Sequence, residues 1–385
     1  MPPARAAPEA AVDVRSLAAG VLLGVSLAGC APPEPVRIGF IGGLSGRVSD
    51  LASEGKDGAL LAVEQANAAG GVNGRPVELL VRDDAQDPEV ARQVTGELIQ
   101  AGVQIIVGPM TSAVAEAIIP LANQAGVVLV SPTVTSTRFS GQDDHFFRVV
   151  STTREYASAA ALFLRRTRGA ERAALILDQD NAAYTEDWAR QFIQAFEASG
   201  GESLPVERFS SAREVSLMPQ VTRMLDAKPD LVVIVAGSVD AARLAQMVRR
   251  RAPLISLLIG DWAATERFVE LGGLAVEGLY APQYFSRDDV SPRYRAFRRE
   301  YEERFGVAPG FASVAGYDAA RVALDALALP GGTLRERLKA QRVFDGVQQR
   351  IEFDEYGDAA RPVRLTVVRS RRFVPIDPEA GEGMR

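Results

Sequence analysis

Only one cysteine and one histidine occur in the 385 residues. A single thiol excludes an intrachain disulfide, and Cys30 with His145 alone cannot close a zinc site, so no metal centre is expected. Basic residues are in deficit, 43 Lys and Arg against 49 Asp and Glu, for a net charge of −6. A nucleic-acid partner needs a basic face for phosphate, so none is expected. Long apolar runs are scarce too: beyond residue 28 no segment is apolar for long enough to span a bilayer. Catalytic signatures are missing as well. No G-x-S-x-G occurs, the stretch GFIGGLSG at 39–46 lacks G-x-G-x-x-G spacing, and Gly55-Lys56 has Asp50 where a P-loop requires glycine. His145, in DDHFF, reads as a surface or strand-edge residue rather than a catalytic base, and Asp83 and Asp84 read as a solvated loop and cap. The chain is therefore expected not to be an enzyme and to use no cofactor.

What is present begins with one apolar run, SLAAGVLLGVSLA at 16–28, which carries no charge. It is short for a membrane span and has the length of a signal-peptide core. It runs into Leu27-Ala28-Gly29-Cys30, which matches the bacterial lipobox, where the cysteine is lipidated and the chain is cut just before it. An unpaired cysteine otherwise ends as a small buried hydrophobe, but these neighbours favour lipidation of Cys30. The segment ahead of the run contains Glu9 and Asp13 and so lacks the positive excess of a leader; a start at Val14 would supply a short basic one. After Cys30, APPEP reads as a stiff extended spacer. The expected division is a leader at 1–29, a tether at 30–35, and an exported domain lipid-anchored on the extracytoplasmic (periplasmic) side.

From residue 36 onward, β-rich and amphipathic segments alternate. Strands are predicted at 36–41, 76–81, 103–107 and 127–130. Between them lie a helix carrying Ala59, Ala62, Val63 and Ala66, a helix opened by Asp87 with Pro88 at its first position, and a helix at 113–125. After Val150 the rhythm restarts, with strands at 173–177, 204–208, 231–235 and 255–259 and helices at 156–166, 186–198, 215–225 and 241–250. Two helices at 292–305 and 311–329 and a β-rich tail at 347–353 and 363–368 close the chain. Such alternation predicts an α/β fold of two similar lobes, each a doubly wound parallel sheet.

In open α/β sheets ligands bind beyond the carboxyl ends of the strands. Two adjacent ends are rich in hydroxyls, Gly108-Pro109-Met110-Thr111-Ser112 and Ser131-Pro132-Thr133-Val134-Thr135-Ser136-Thr137. Thr111 or Ser112 can simply cap the following helix. Free N–H groups and a hydroxyl at a helix start also suit a carboxylate, held by dipoles rather than by arginine.

These pieces together resemble the type I periplasmic binding proteins, specifically the branched-chain amino acid (Leu/Ile/Val) binding family of ABC importers. The resemblance runs from Val36 to about Val368. It rests on Gly58-Ala59-x-Leu61-Ala62, Gly70-Gly71-Val72-Asn73-Gly74, Asp83-Asp84-x-x-Asp87-Pro88, Val107-Gly108-Pro109 with Ser112, Ser131-Pro132, Gly316-Tyr317-Asp318-Ala319 and Phe353-Asp354-x-x-Gly357-Asp358, in that order. It implies two lobes joined by three hinge crossovers, near 150, at 281–285 and around 338–343, with lobe 1 at 36–150 plus 284–338, lobe 2 at 151–283 plus 339–375, and a tail at 376–385. It also implies a small-molecule ligand held between the lobes and an ABC permease as partner. Ser112, beside Thr111, is implied to hold the amino acid carboxylate, Thr133 (through its backbone) and Thr135 the carboxylate and ammonium, and Tyr184 to cover the ligand. The family's acidic ammonium partner falls at Asp261 or Trp262. Two family aromatics are replaced, at Leu51 and around Ser238. A ligand-sensing receptor of the same clamshell shape is an alternative, and an exported hydrolase a more distant one.

Overall fold

The computed structural model describes residues 1–4, 33–46, 49–213 and 216–376. Cys30, the apolar run 16–28 and the chain beyond Ile376 lie outside the described residues. Of the expected tether, Glu34 and Pro35 are fastened to the domain, because Arg75 donates to both their carbonyls at 2.8 and 3.3 Å.

The first lobe starts with β1 (Val36–Gly42), in which Ile38, Phe40 and Ile41 are fully buried. A strand buried on both faces belongs inside a parallel sheet covered by helices. There follow α1 (Asp50–Ala68), β2 (Val77–Asp83), α2 (Pro88–Gln100), β3 (Ile105–Val107), α3 (Ser112–Ala125), β4 (Val128–Ser131) and β5 (Phe146–Arg148). The strands are all parallel, in the order β2-β1-β3-β4-β5. Asp87 caps α2 as its sequence position predicts, its carboxylate accepting from the N–H groups of Glu89 and Val90.

The second lobe opens with α4 (Thr153–Arg168), started by a reciprocal capping pair of Thr152 and Glu155. It continues through β6 (Arg172–Asp178), α5 (Ala182–Ala198), β7 (Glu202–Ser203), β8 (Glu207–Phe209), α6 (Met218–Asp226), β9 (Leu231–Val235), α7 (Ser238–Arg251), β10 (Ser256–Ile259), α8 (Glu266–Gly272) and β11 (Tyr280–Gln283). The single strand expected at 204–208 is broken into β7 and β8 around Pro205. Its register against β6 slips by one residue, from Ala173 opposite Ser203 to Ile176 opposite Glu207. Proline has no N–H to give a ladder, which accounts for the break.

The chain then returns to the first lobe with α9 (Pro292–Phe305) and α10 (Phe311–Ala328), followed by α11 (Leu334–Gln341), β12 (Val343–Asp345), β13 (Arg350–Glu352), β14 (Arg364–Arg369) and β15 (Arg372–Pro375). Helix α10 packs on α1 with backbones nearly touching. A Cβ on Gly58 would lie 2.0 Å from the Ser313 carbonyl, and one on Gly316 would lie 2.0 Å from that of Gly55. The second sheet runs β15-β14-β11-β10-β9-β6-β7, with β8 also on β6. It is mixed rather than parallel throughout, because β14 and β15 enter antiparallel.

Three passages join the lobes, after β5, after β11 and before β14. The third differs from the expectation of 338–343. Leu338 is buried in α11, β12 and β13 pair with each other, and the Gly357 carbonyl accepts from the Arg148 N–H at 3.1 Å. Of these last strands only β14 and β15 join the second sheet, so the passage lies at 360–363. The β-rich character of 343–353 is real but is satisfied by a local hairpin. The passage is pinned by Arg361, whose guanidinium is buried against Asp318 at 2.7 Å and lies over the Tyr284 ring at 4.8 Å.

Candidate functional site

The carboxyl ends of the two sheets face each other across a cleft with about 490 Å³ of unfilled space, part of it open to solvent. The first lobe contributes Leu51, Met110, Thr111, Ser112, Thr133, Thr135 and Phe311. The second contributes Tyr156, Asn181, Tyr184, Asp261 and Trp262, with Pro282 and Gln283 at the end of β11, and the passages between them Val150 and Tyr284. Eight of the residues singled out from sequence therefore meet in one place: Leu51, Thr111, Ser112, Thr133, Thr135, Tyr184, Asp261 and Trp262. Ser238 does not join them. It is buried at the first turn of α7, its hydroxyl without a partner, outside the cleft lining.

On the first-lobe wall Thr111 has extended backbone before α3 and its side chain makes no capping bond, so the simple capping role is not realised. Ser112 is 2% exposed at the helix start. The next N–H, of Ala113, is taken by Asn181 Oδ1 at 3.0 Å, a hydrogen bond between the lobes. Thr133 donates its hydroxyl to the Met110 carbonyl at 2.6 Å, which turns the side chain back onto its own lobe. The Thr135 hydroxyl is buried with no partner. A buried hydroxyl left unpaired costs about 1–3 kcal/mol and marks a place for a polar atom.

The second-lobe wall is built around Asp261, the only charged side chain among the described lining residues. It follows β10 through Gly260, where a Cβ would stand 2.6 Å from the Tyr184 hydroxyl; the glycine makes room for that hydroxyl to reach Asp261. Tyr184 donates to Asp261 Oδ1 at 2.8 Å, and Trp188 donates through Nε1 to the same oxygen at 3.0 Å. The Trp262 N–H donates to the Tyr184 hydroxyl at 3.3 Å, and the two rings meet edge to face at 5.8 Å. Burial pushes Asp261 up to about 6, while the Tyr184 and Trp188 donors pull it down. Tyr184 is itself raised well above the phenol range, first by burial and then by the Asp261 charge.

The residues that sequence reading missed are mostly apolar or aromatic: Met110, Val150, Tyr156, Pro282, Tyr284 and Phe311, with polar Asn181 and Gln283. Met110 was within reach, lying in the same strand-end loop as Thr111. Tyr284 and Phe311 come from the second passage and the start of α10, and nothing local in their sequence marks them. With Leu51, Met110 and Phe311 on one side, the cleft offers an apolar end beside its polar one.

The profile of the periplasmic binding protein family matches residues 35–372. The chain belongs to that family. Relatives include the Leu/Ile/Val-binding protein BraC3 of Rhizobium johnstonii, 26% identical over 69% of this chain and 72% of that one. The leucine-, isoleucine-, valine-, threonine- and alanine-binding protein of Pseudomonas aeruginosa is 22% identical over 84% of this chain and 87% of that one. Among solved structures, a leucine-binding protein of Thermotoga maritima superposes with a TM-score of 0.82 at 26% identity, covering 90% of this chain and 99% of that one. All three of these relatives are named for binding leucine, alone or with other amino acids. No helix among the described residues is long and apolar enough to cross a membrane.

Proposed function

We propose that this protein is an extracytoplasmic solute-binding lipoprotein, anchored through Cys30, that binds a branched-chain or related amino acid and delivers it to an ABC permease. The observation that carries the reading is the polarity of the cleft. One carboxylate, Asp261, stands opposite a helix start bearing Thr111 and Ser112 and near the unpaired hydroxyl of Thr135. That arrangement complements a dipolar head group. The carboxylate of the ligand lies on the α3 N-terminus, Ser112 and Thr135, where the helix dipole favours an anion. Its ammonium lies against Asp261, Tyr184 and Trp262, an ion pair worth about 4 kcal/mol at 4 Å in a partly screened site. Leu51, Met110 and Phe311 receive the aliphatic side chain. A ligand that touches both walls favours the closed form, which is the form a permease can recognise.

A thermal-shift comparison tests the head-group reading. L-leucine, L-isoleucine or L-valine at a hundredfold excess over Kd stabilises the native protein by about 2.7 kcal/mol and raises its Tm. Benzoate and acetamide, which lack one or both charges, do not. A shift with benzoate alone contradicts the proposal, because an anion without an ammonium would then be preferred beside Asp261.

A further inference from the structure

Outside the cleft, the rim where α1 of the first lobe meets α8 of the second carries an excess of acid. Glu54 stands on α1 and Glu266 opens α8. A Cβ on Gly310 would come within 2.4 Å of Glu54 Oε2 and 2.8 Å of Glu266 Oε2, so both oxygens crowd one small space over that glycine. The other Glu266 oxygen accepts from Arg287. Arg287 is held in turn by Gln283 Oε1 at 3.0 Å and lies over the Phe285 and Phe373 rings at 5.1 and 4.9 Å. Its guanidinium is thus committed to Glu266, whereas Glu54 Oε2 is buried and has no hydrogen-bond partner. The remaining groups around Glu54 do not supply a cation. Asp50 accepts from Thr265 Oγ1 across the lobes at 2.7 Å, Asp57 pairs with Lys56 at 3.1 Å, and Tyr301 approaches from α9, where Tyr294 faces Glu266.

We infer that closing the two lobes binds one proton on Glu54, in the space that it shares with Glu266 over Gly310. A carboxylate without donors is costly to bury, and a second carboxylate at the same spot adds to the cost. Protonated, Glu54 becomes a donor and Glu266 an acceptor, which removes both penalties at once. The setting exists only while α8 rests against α1, since separating the lobes takes Glu266 and Thr265 away from the first lobe. Burial first, then Glu266 and Asp50, opposed by Arg287 and with Asp57 adding to them, hold Glu54 well above the ordinary carboxylate range. Its protonation constant is thus higher in the closed form than in the open one. The stabilisation of the closed form is therefore fully present below the open-form value and is lost as pH rises through the closed-form value. The proton acts as a second ligand of the closed state, whichever solute occupies the cleft.

Small-angle scattering of the full chain without solute reads closure directly. As the pH is lowered, the radius of gyration falls in the wild type. In Glu54→Gln it is already at the smaller value throughout, because the amide can donate to Glu266 at any pH. A radius that does not change with pH in the wild type, or that falls equally in the variant, overturns the inference. Should Glu54→Gln fail to fold, Glu266→Gln carries the same test by shrinking the wild-type response. Calorimetry with L-leucine in phosphate and in Tris then counts protons, a net uptake by the wild type that is absent in Glu54→Gln. Absence of any leucine binding would count against the proposed function alone and leave scattering to decide this inference.

Discussion

Tyr184 and Trp188 both set their donors on Oδ1 of Asp261, so neither is spent on Oδ2. That leaves one carboxylate oxygen for an ammonium, and it fixes the pH range in which the contact works. Burial holds Asp261 up at about 6 in the free protein. An ammonium brought against it favours the ionised form, so binding must expel the proton once the pH falls below that value. Affinity for L-leucine is therefore expected to drop by up to about tenfold per pH unit below about 6. The Glu54 proton acts in the opposite direction, favouring binding as the pH falls. In Glu54→Gln only the acid limb remains, and in Asp261→Asn that limb disappears together with most of the affinity. Dissociation constants read by tryptophan fluorescence across pH check this, and an acid limb that survives in Asp261→Asn contradicts it.

At the scale of elements, the contact of α1 with α10 shows why the glycines of the Gly58-Ala59 and Gly316-Tyr317 stretches stand where they do. Each lies against a carbonyl of the opposite helix at a distance no side chain tolerates. Gly58→Ala or Gly316→Ala must push the helices apart, an overpacking cost of about 1–3 kcal/mol that chemical denaturation reads as a lowered midpoint with unchanged slope. A change within about 0.5 kcal/mol contradicts the packing described here. The same elements show what a sequence reveals and what it hides. Periodicity and caps were sufficient for the strands that line the core and for helices such as α2, because Asp87, Pro88 and the apolar spacing act within a few residues. The strand break at Pro205, the local hairpin of β12 with β13 and the antiparallel entry of β14 depend on partners far along the chain. Within the cleft the hydroxyl-rich strand ends were legible as polar groups at helix starts. Tyr156, Tyr284 and Phe311 were not, since aromatic residues in helices and connections read alike whether they face a core or a ligand. Ser238 followed its family position, yet the first turn of α7 turns it into the protein.

For the whole molecule, the two lobes touch at separate points around the cleft: Ala113 with Asn181, Asp50 with Thr265, and Thr137 with Asp187 through its N–H at 2.6 Å and its hydroxyl at 2.7 Å. Burial raises Asp187, but Thr153 and Thr137 as donors hold it below the ordinary carboxylate range, so this contact stays charged and paired. Polar contacts of this kind are modest in net energy, about 0.5–1.5 kcal/mol between neutral groups and about 1.5–3 kcal/mol to a carboxylate, which suits lobes that open and close rather than a permanent interface. In the proposed function the solute supplies the balance by binding both walls. The most direct test is calorimetric titration of the full chain with L-leucine, L-isoleucine and L-valine, alongside Ser112→Ala and Asp261→Ala. The account predicts one site per chain for at least one of the three, with affinity lowered by about tenfold or more in each variant, as expected when a hydrogen bond to a charged group is lost. Absence of binding to all three, or undiminished affinity in both variants, would contradict it.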